Sequence, residues 1–300
     1  MSIEAPTPRN PIVARQKLTW PGGAAVAVAF VVNLEHYELQ PPDGLVMPAS
    51  LPGGMGRAPY PDFRAYSQRE YGNRVGIFRL LEAFDRHDLK AAAAVDVWTL
   101  QNRPELAQEI RQREWEFVGH GHAVTRVMSS EMSETQETQY LESALLAFSN
   151  VVGIRPEGWH GPEYGQSSHT LKILASLGFR YVLDLVNDEQ PFMINTAAGA
   201  LAALPMAAEF DDVLCLWHRK ISPARWQRSI ADAMDQLIRD GKINGRVFVL
   251  NLHPWLIGQP HRMSYFEEIL ARLRQTPGLW FASPSEIVRA ADPTFPNKRN

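Results

Sequence analysis

The segment of residues 24–32 decides the predicted fold, and its sequence is AAVAVAFVV. It follows the turn-forming Pro21, Gly22 and Gly23 and contains no polar residue. A strand with one face in water alternates polar and apolar side chains, whereas this run is apolar throughout. The pattern therefore predicts a strand that is buried on both faces, as in a parallel sheet covered by helices.

Short apolar runs of the same kind recur along the chain and alternate with segments of helical periodicity. The other predicted strands cover residues 90–98, 115–119, 180–185, 246–252 and 279–282. The predicted helices cover residues 75–84, 104–113, 133–152, 168–177, 223–239 and 264–275. Ser133 and Gln136 have the spacing of a capping box. Strands that alternate with helices imply crossover connections, so we predict an α/β fold, either a parallel barrel or a doubly wound sheet.

The composition is that of an ordinary globular protein, with 45% of the 300 residues hydrophobic and 21% charged. The formal net charge of -3 gives no reason to expect a nucleic acid or an anionic membrane as partner, so we expect a small-molecule substrate. No run approaches the roughly 20 apolar residues of a membrane span, and residues 1–17 lack the apolar stretch of a secretion signal. These features predict a cytoplasmic protein.

No linker or shift in composition divides the chain, and we predict one catalytic domain over residues 1–300. Within it, residues 40–61 are rich in Pro and Gly and predict a long surface loop near the mouth of the fold. Residues 293–300 predict a loose tail. The single cysteine, Cys215, lies in an apolar run, which predicts a buried and unreactive thiol.

Functional side chains of parallel barrels gather where the strands end, so polar residues that follow the apolar runs are the candidates. Asn33 and Glu35 follow the first strand, and their separation by two residues predicts that they point to the same side. The carboxylate of Glu35 can bind a metal or accept a proton from water, whereas the amide of Asn33 can only orient a partner by hydrogen bonds. The alternative is that both residues only tie down the following loop.

His120 and His122 follow the predicted strand at residues 115–119 and flank Gly121. Together with Glu35 they would form a two-histidine, one-carboxylate site for a divalent metal such as zinc, with room for a water. The spacing alone is a weak signal. A metal-free polar site and a structural role for the histidines therefore stay open.

Two further stretches carry candidate residues. Arg155 begins a turn-rich stretch, where its guanidinium could hold a catalytic carboxylate or a substrate carbonyl, and His160 and Glu163 could line the pocket. His253 follows the predicted strand at residues 246–252, either as a proton donor that is useful near neutral pH or as a structural histidine. The rings expected to wall the pocket and exclude water are Tyr37, Trp159 and Trp255.

Several motifs, taken in order, carry a resemblance to a known family. They are LTWPGG at residues 18–23, EYGNRVG at 70–76, WEFVGHG at 115–121, RPEGW at 155–159, YVLD at 181–184, LHP at 252–254 and ASPSEI at 282–287. In this order and spacing they resemble the polysaccharide deacetylase (nodulation-factor deacetylase homology) superfamily, and more narrowly its allantoinase and cyclic-imide hydrolase branch. The resemblance covers nearly the whole chain. It implies a distorted (β/α) barrel and, as is usual in that branch, a homo-oligomer.

The resemblance also implies roles for single residues. Asn33 stands where the metal-dependent members have a catalytic aspartate, and Glu35 stands where they have a metal-binding aspartate. His120 matches the first metal-binding histidine, but Val124 stands where the second is expected. An amide cannot take a proton at neutral pH and a valine binds no metal, so metal-dependent deacetylation of a sugar is doubtful.

The arginine and histidine motifs of the family fall on Arg155 and His253, and Asp184 lies in a matching region as a candidate for substrate binding. We therefore expect hydrolysis of a carbon–nitrogen bond in a small amide, cyclic imide or ureide. Glu35 would activate water, Asn33 would orient it, and Arg155 would fix Glu35 or the substrate. His253 would stabilise the oxyanion or protonate the leaving nitrogen. The alternatives are a metal-dependent N-deacetylase of an acetylated sugar and a non-catalytic binding protein on the same scaffold.

Overall fold

One curled, mainly parallel sheet organises the computed structural model, which describes residue 7 and residues 10–42 and 61–292. Its strands are β1 (Val26–Leu34), β2 (Ala92–Val95), β3 (Glu116–Gly119), β4 (Gly158–Trp159), β5 (Tyr181–Val182), β6 (Phe192–Thr196), β7 (Gly199–Ala203), β8 (Arg246–Leu252) and β9 (Leu279–Phe281). Their order is β6-β7-β5-β4-β3-β2-β1-β8, and β9 also pairs with β1. The hairpin of β6 and β7 is antiparallel. The predicted α/β class is confirmed.

Helices alternate with the strands along the chain. They are α1 (Phe63–Tyr71), α2 (Ile77–Arg86), α3 (Val97–Asn102), α4 (Pro104–Gln112), α5 (Glu134–Val152), α6 (Thr170–Ser176), α7 (Pro223–Gly241), α8 (Pro254–Ile257), α9 (Pro260–Gln275) and α10 (Pro284–Ala291). The capping box predicted from Ser133 and Gln136 is present at the start of α5. The sequence does not predict α1, α3, α8, α10, β4, β6 or β7, because these elements are too short or too polar to show a clear period.

Strand β1 lies in the middle of the sheet and is buried along its whole length, as its apolar sequence predicts. It pairs with β2 on one side and with β8 on the other. Alternate side chains enter two separate cores, an inner one within the curl of the sheet and an outer one against the helices. The inner side chains are Ala27, Ala29 and Val31, and the outer ones are Val28, Phe30 and Val32. Complete burial of an aromatic side chain such as that of Phe30 contributes about 1.5–3 kcal/mol.

In each central strand, the side chains that point into the curl of the sheet form what we call the inner column. This column changes from apolar to polar residues at the carboxyl end of the strand. The apolar residues that end the columns are Val31 in β1, Ala94 in β2, Val118 in β3 and Val249 in β8. The polar residues that continue them with a period of two are Asn33, Glu35, Asp96, His120, Asn251 and His253. Asp96 is the N-cap of α3, where its side chain accepts from the backbone N–H of Thr99. The remaining polar side chains meet at one rim of the barrel.

The barrel is incomplete, because β6 and β8, at the two ends of the strand order, form no ladder with each other in the described chain. Two backbone hydrogen bonds join β8 to irregular segments instead. The N–H of Val247 donates to Glu189 O at 2.8 Å, and the N–H of Ala207 donates to Val249 O at 2.9 Å. Irregular chain thus takes the place of barrel strands here, and the predicted distorted (β/α) barrel is confirmed.

Glycines let a π-helical turn pack closely against the rim. This turn, Gly72–Gly76, joins α1 to α2. A Cβ on Gly72 would stand 2.7 Å from the backbone N of Trp255, and a Cβ on Gly76 would overlap the carbonyl oxygen of Pro254. Since α8 begins directly after the candidate histidine of β8, the two glycines fix how closely α1 and α2 approach that histidine.

Three other expectations concern parts of the chain outside the sheet. Residues 43–60 of the predicted loop, and the whole predicted tail at 293–300, lie outside the described residues. Cys215 is buried, its thiol donates to Glu209 O at 2.9 Å, and burial raises its pKa to about 11, so the reactive thiolate is disfavoured. None of the described helices is both long enough and apolar enough to pass through a membrane.

Candidate active site

Glu35 lies at the centre of the rim, just past the end of β1, and is 6% exposed. Its Oε2 accepts a hydrogen bond from Nε of Arg69 in α1 at 3.1 Å. Its Oε1 lies 3.5 Å from Nε2 of His120 and 3.5 Å from Nε2 of His253. The structure thus brings together three of the residues that the sequence singles out and adds one arginine.

Burial alone would raise the pKa of the Glu35 carboxyl, because it removes the charged form from water. The neighbouring His253, His120 and Arg69 outweigh that effect and hold the pKa well below its usual range. Glu35 is therefore a carboxylate at neutral pH. A carboxylate with so low a pKa is a weak proton acceptor, which does not suit the water-activating role expected from the sequence.

His253 bridges Glu35 and Asp212. Its Nδ1 donates to Asp212 Oδ1 at 2.7 Å, and its backbone N–H donates to Asp212 Oδ2 at 2.9 Å. Burial lowers the pKa of His253, but the charges of Asp212 and Glu35 raise it to about 10. His253 is therefore an imidazolium at neutral pH, and its Nε2–H makes no hydrogen bond to the described residues.

His120 is held from behind by the next strand. Its Nδ1 lies 2.7 Å from the carbonyl oxygen of His160, so Nδ1 carries the proton and donates. His160 in turn lies with Nδ1 2.8 Å from Asp184 Oδ1, and the two imidazole rings stack at 4.9 Å. His120 Nε2 is buried and has no hydrogen-bond partner among the described residues. Asp184 and His160 thus position His120 from behind.

Asn33 begins a chain of hydrogen bonds across the barrel. Its Nδ2 donates to Asn251 Oδ1 at 2.7 Å and to the carbonyl oxygen of Leu252 at 3.1 Å. The side chain of Asn251 then donates to Asp211 Oδ2 at 2.8 Å. Oδ1 of Asn33 is buried and unpartnered within the described chain, so Asn33 can still accept one hydrogen bond at the rim.

Arg69, and not Arg155, fixes Glu35. The guanidinium of Arg69 lies over the ring of Trp255 at 4.0 Å and near the ring of Tyr37 at 5.9 Å. Arg155 is exposed and donates from Nη2 to the carbonyl oxygen of Leu177 at 2.6 Å. The expected role of Arg155 is therefore wrong, because its turn directs the side chain toward α6 and away from the rim.

Two other expected contacts with the site are absent. His122 turns toward α5, where its Nε2 lies 2.9 Å from Ser143 Oγ and 3.2 Å from Tyr140 O, and it makes no ion pair with Glu35. The expected metal role of His122 is therefore wrong. Trp159 is 1% exposed and packs edge-on against Phe179 at 5.5 Å in an apolar core. Trp255 contributes to the site indirectly, because its ring packs against the guanidinium of Arg69.

Glu163 is exposed beside the rim, in the turn Pro162–Tyr164. It has a left-handed backbone with φ 54°. The side chain reaches solvent, but the protein packed around it partly desolvates the carboxyl and raises its pKa, and the charge of Glu35 raises that pKa further. The pKa of the Glu163 carboxyl is thus raised, whereas that of the Glu35 carboxyl is lowered.

A resident metal does not fit the donor atoms present. Asp211, Asp212 and His253 come close enough together to hold an ion. However, both Asp212 oxygens accept from His253, and Asp211 accepts from backbone and side-chain donors on both of its oxygens. Binding an ion would break these hydrogen bonds and deprotonate His253. The other candidate set is Glu35 and His120, and the third side chain beside them is His253, whose raised pKa keeps its Nε2 protonated and unable to bind a metal.

Residues 70–182 match the family model described as polysaccharide deacetylase. A Schizosaccharomyces pombe protein that is provisionally named a polysaccharide deacetylase is 22% identical over 314 residues, which cover 93% of this chain and 94% of that protein.

Solved structures share the fold of this chain. A crystal structure from Pseudomonas aeruginosa PAO1, provisionally named a polysaccharide deacetylase, superposes with a TM-score of 0.83 at 24% identity and covers 97% of each chain. The crystal structure of PuuE allantoinase superposes with a TM-score of 0.82 at 22% identity and covers 97% of this chain and 96% of that one. These similarities establish the distorted barrel.

Sequence reasoning misses four residues of the site, which are Arg69, Asp211, Asp212 and Asn251. Asn251 continues the inner column of β8 with a period of two, and that signal is present in the sequence. The acidic pair of Asp211 and Asp212 follows the apolar residues after β7, which is a weaker signal of the same kind. Arg69 lies within a polar helix, and nothing in its local sequence indicates that it turns toward β1.

Proposed function

We propose that this protein hydrolyses a carbon–nitrogen bond in a small amide, cyclic imide or ureide. The observation that carries the proposal is the Glu35–His253 pair at the rim, where a carboxylate with a lowered pKa faces an imidazolium with a raised pKa. Opposite shifts of neighbouring ionisable groups are typical of sites that perform acid–base chemistry. The family and its allantoinase neighbour support this class of reaction.

In the proposed reaction, the cation of His253 stabilises the negative charge that develops on the carbonyl oxygen. The distance of 3.5 Å between His253 Nε2 and Glu35 Oε1 exceeds that of a charge-assisted hydrogen bond, so the Nε2–H remains available to substrate. Glu35 keeps His253 protonated and orients water by accepting a hydrogen bond. Asn33 offers its unpartnered Oδ1 to an N–H or a water. Loss of one such oxyanion donor costs about 10²–10³ in kcat.

The test is a substrate panel measured with matched variants. Succinimide, hydantoin and allantoin represent imides and ureides, and N-acetylglucosamine represents acetylated sugars. We expect turnover of an imide or ureide, and a loss of about 10²–10³ in kcat/KM for Glu35→Gln and for His253→Ala. Glu105→Gln and His261→Ala change exposed residues of the same types and serve as controls.

Other results of the panel favour the other functions. Unchanged rates for Glu35→Gln and His253→Ala would contradict the proposal. Turnover of N-acetylglucosamine that requires added zinc would favour a metal-dependent N-deacetylase, and no turnover of any compound would favour a binding protein. The homo-oligomer and cytoplasmic location also remain proposals, and light scattering of the purified chain tests the first of them.

A further inference from the structure

The turn that carries Glu163 adopts a backbone conformation that is disfavoured for residues with a Cβ. Glu163 has φ 54° and Tyr164 has φ 57°, so two consecutive non-glycine residues lie in the left-handed region. Single residues of this kind occur in many turns, but two in succession are rare. Strain that persists at the edge of a site indicates that the surrounding structure holds the residue in place for function.

Hydrogen bonds to residues of the site hold this turn on both sides. The hydroxyl of Tyr164 donates to Asp211 Oδ2 at 3.0 Å and accepts from Asn251 Nδ2 at 3.1 Å. The backbone N–H of Gly161 donates to Asp184 Oδ1 at 2.8 Å. The backbone of the turn is therefore tied to the same network that positions His120 and Asn33.

The carboxylate of Glu163 itself has no hydrogen bond or ion pair within the described residues, although charged groups from several elements act on it. These groups are Glu35 after β1, Arg69 of α1, His253 after β8 and Asp211 before the π-helical turn Val213–His218. Glu163 is also exposed, whereas Glu35 is buried and held by Arg69. Of the two carboxylates, Glu163 is the one that is free to meet substrate and exchange protons.

We propose that Glu163 is the catalytic residue that transfers protons at this site. This inference rests on the proposed hydrolysis of a carbon–nitrogen bond. The Glu163 carboxylate takes a proton from water as the water oxygen bonds to the carbonyl carbon. The carbon–nitrogen bond then breaks, and the Glu163 carboxyl returns that proton to the leaving nitrogen, so that an amide and water give a carboxylic acid and an amine.

The raised pKa of Glu163 suits this cycle, since a stronger base takes a proton from water more readily. Glu35 performs a different task, because its fixed negative charge keeps His253 protonated. The two residues therefore predict different kinetic defects. Loss of Glu163 removes the proton carrier, whereas loss of Glu35 removes the anion that sustains the imidazolium.

The first experiment compares Glu163→Gln, Glu163→Asp and the control Glu114→Gln on the best imide or ureide of the panel. Glu114 has the same φ of 54° in an exposed turn away from the site, where it pairs with Lys90. We expect Glu163→Gln to lose about 10²–10⁴ in kcat and to lose the acid limb of the pH profile, while Glu163→Asp retains that limb. Glu114→Gln keeps the wild-type rate.

Retention by Glu163→Gln of the wild-type rate, or of the acid limb, overturns the inference. If Glu35→Gln is inactive while Glu163→Gln is active, the inference fails and the proposed function stands. If both variants turn over substrate at the wild-type rate, the proposed function fails as well.

A second experiment measures thermal unfolding and turnover of glycine variants at the same two positions. Glycine adopts a left-handed backbone without strain, so Glu163→Gly is expected to raise Tm by about 2 °C while it abolishes turnover. Glu114→Gly is the matched control, which keeps full turnover. A lower Tm for Glu163→Gly would contradict the functional reading of the strained turn.

Discussion

His253 lies between two carboxylates, with Nδ1 2.7 Å from Asp212 Oδ1 and Nε2 3.5 Å from Glu35 Oε1. One partner forms a close hydrogen bond and the other stands slightly too far away for one. The pair of charges raises the pKa of His253 to about 10 in spite of burial. The second, longer contact leaves the Nε2–H available at the rim.

The first prediction concerns the alkaline limb of the pH profile. Activity requires His253 to be protonated, so kcat/KM is expected to fall as the pH rises through about 10. Asp212→Asn removes the larger of the two raising charges, and the limb should move to lower pH by about 1–3 units. Asp235→Asn on the exposed face of α7 is the control. A limb that stays in place in Asp212→Asn would show that another group titrates there.

The second prediction separates the two arginines. Arg69→Ala removes the cation that donates a hydrogen bond to the buried Glu35 carboxylate, while His253 remains beside it, and is expected to cost about 1.5–3 kcal/mol in the free energy of unfolding and to reduce kcat/KM. Arg155→Ala removes an exposed side chain that contacts Leu177, and its kcat/KM should match the wild type. Urea denaturation and steady-state kinetics of both variants provide the check. Equal activity of the two variants would contradict the assignment of Arg69.

The third prediction concerns the close packing at Gly76. A methyl group there overlaps the carbonyl oxygen of Pro254, so Gly76→Ala is expected to push α8 outward and to cost about 1–3 kcal/mol in stability. Since Pro254 follows His253 directly, kcat should fall along with Tm. Arg74→Ala changes an exposed residue of the same π-helical turn and serves as the control. Full activity of a destabilised Gly76→Ala would mean that α8 does not position the histidine.

The fourth prediction concerns metal removal. The oxygen atoms of Asp211 and Asp212 are already occupied by hydrogen-bond donors, so turnover of an imide or ureide should persist after dialysis against EDTA. Elemental analysis of the same sample should give far less than one metal ion per chain. Stoichiometric zinc whose removal stops the reaction would contradict this expectation.

The sequence predicts the barrel well because its long strands carry strong patterns. Strand β8 has the predicted bounds, and β1 differs mainly in that it continues through Asn33. In contrast, β4 has only two residues and lies within a stretch of turn-forming residues. Its pairing with neighbouring strands is therefore visible only in the structure. Local patterns report burial and period, but they do not report which distant segments complete a barrel.

The residues of the site also differ in whether the sequence predicts their positions. Glu35, His120 and His253 meet at the rim because each continues the inner column of a parallel strand, a rule that the sequence already contains. Arg155 lies next to a strand in sequence but in a turn whose direction no pattern specifies. Arg69 reaches Glu35 from a helix, so its role depends on tertiary packing that the sequence does not display.

The inner columns of β1, β2 and β8 begin with small apolar side chains, and the polar residues of the rim follow them toward the carboxyl ends of the strands. The apolar residues that stabilise the barrel and the polar residues of the site thus occupy separate parts of the same strands. Substitutions among the polar residues of the rim therefore leave the apolar columns in place, so the chemistry of the rim can change while the fold is kept.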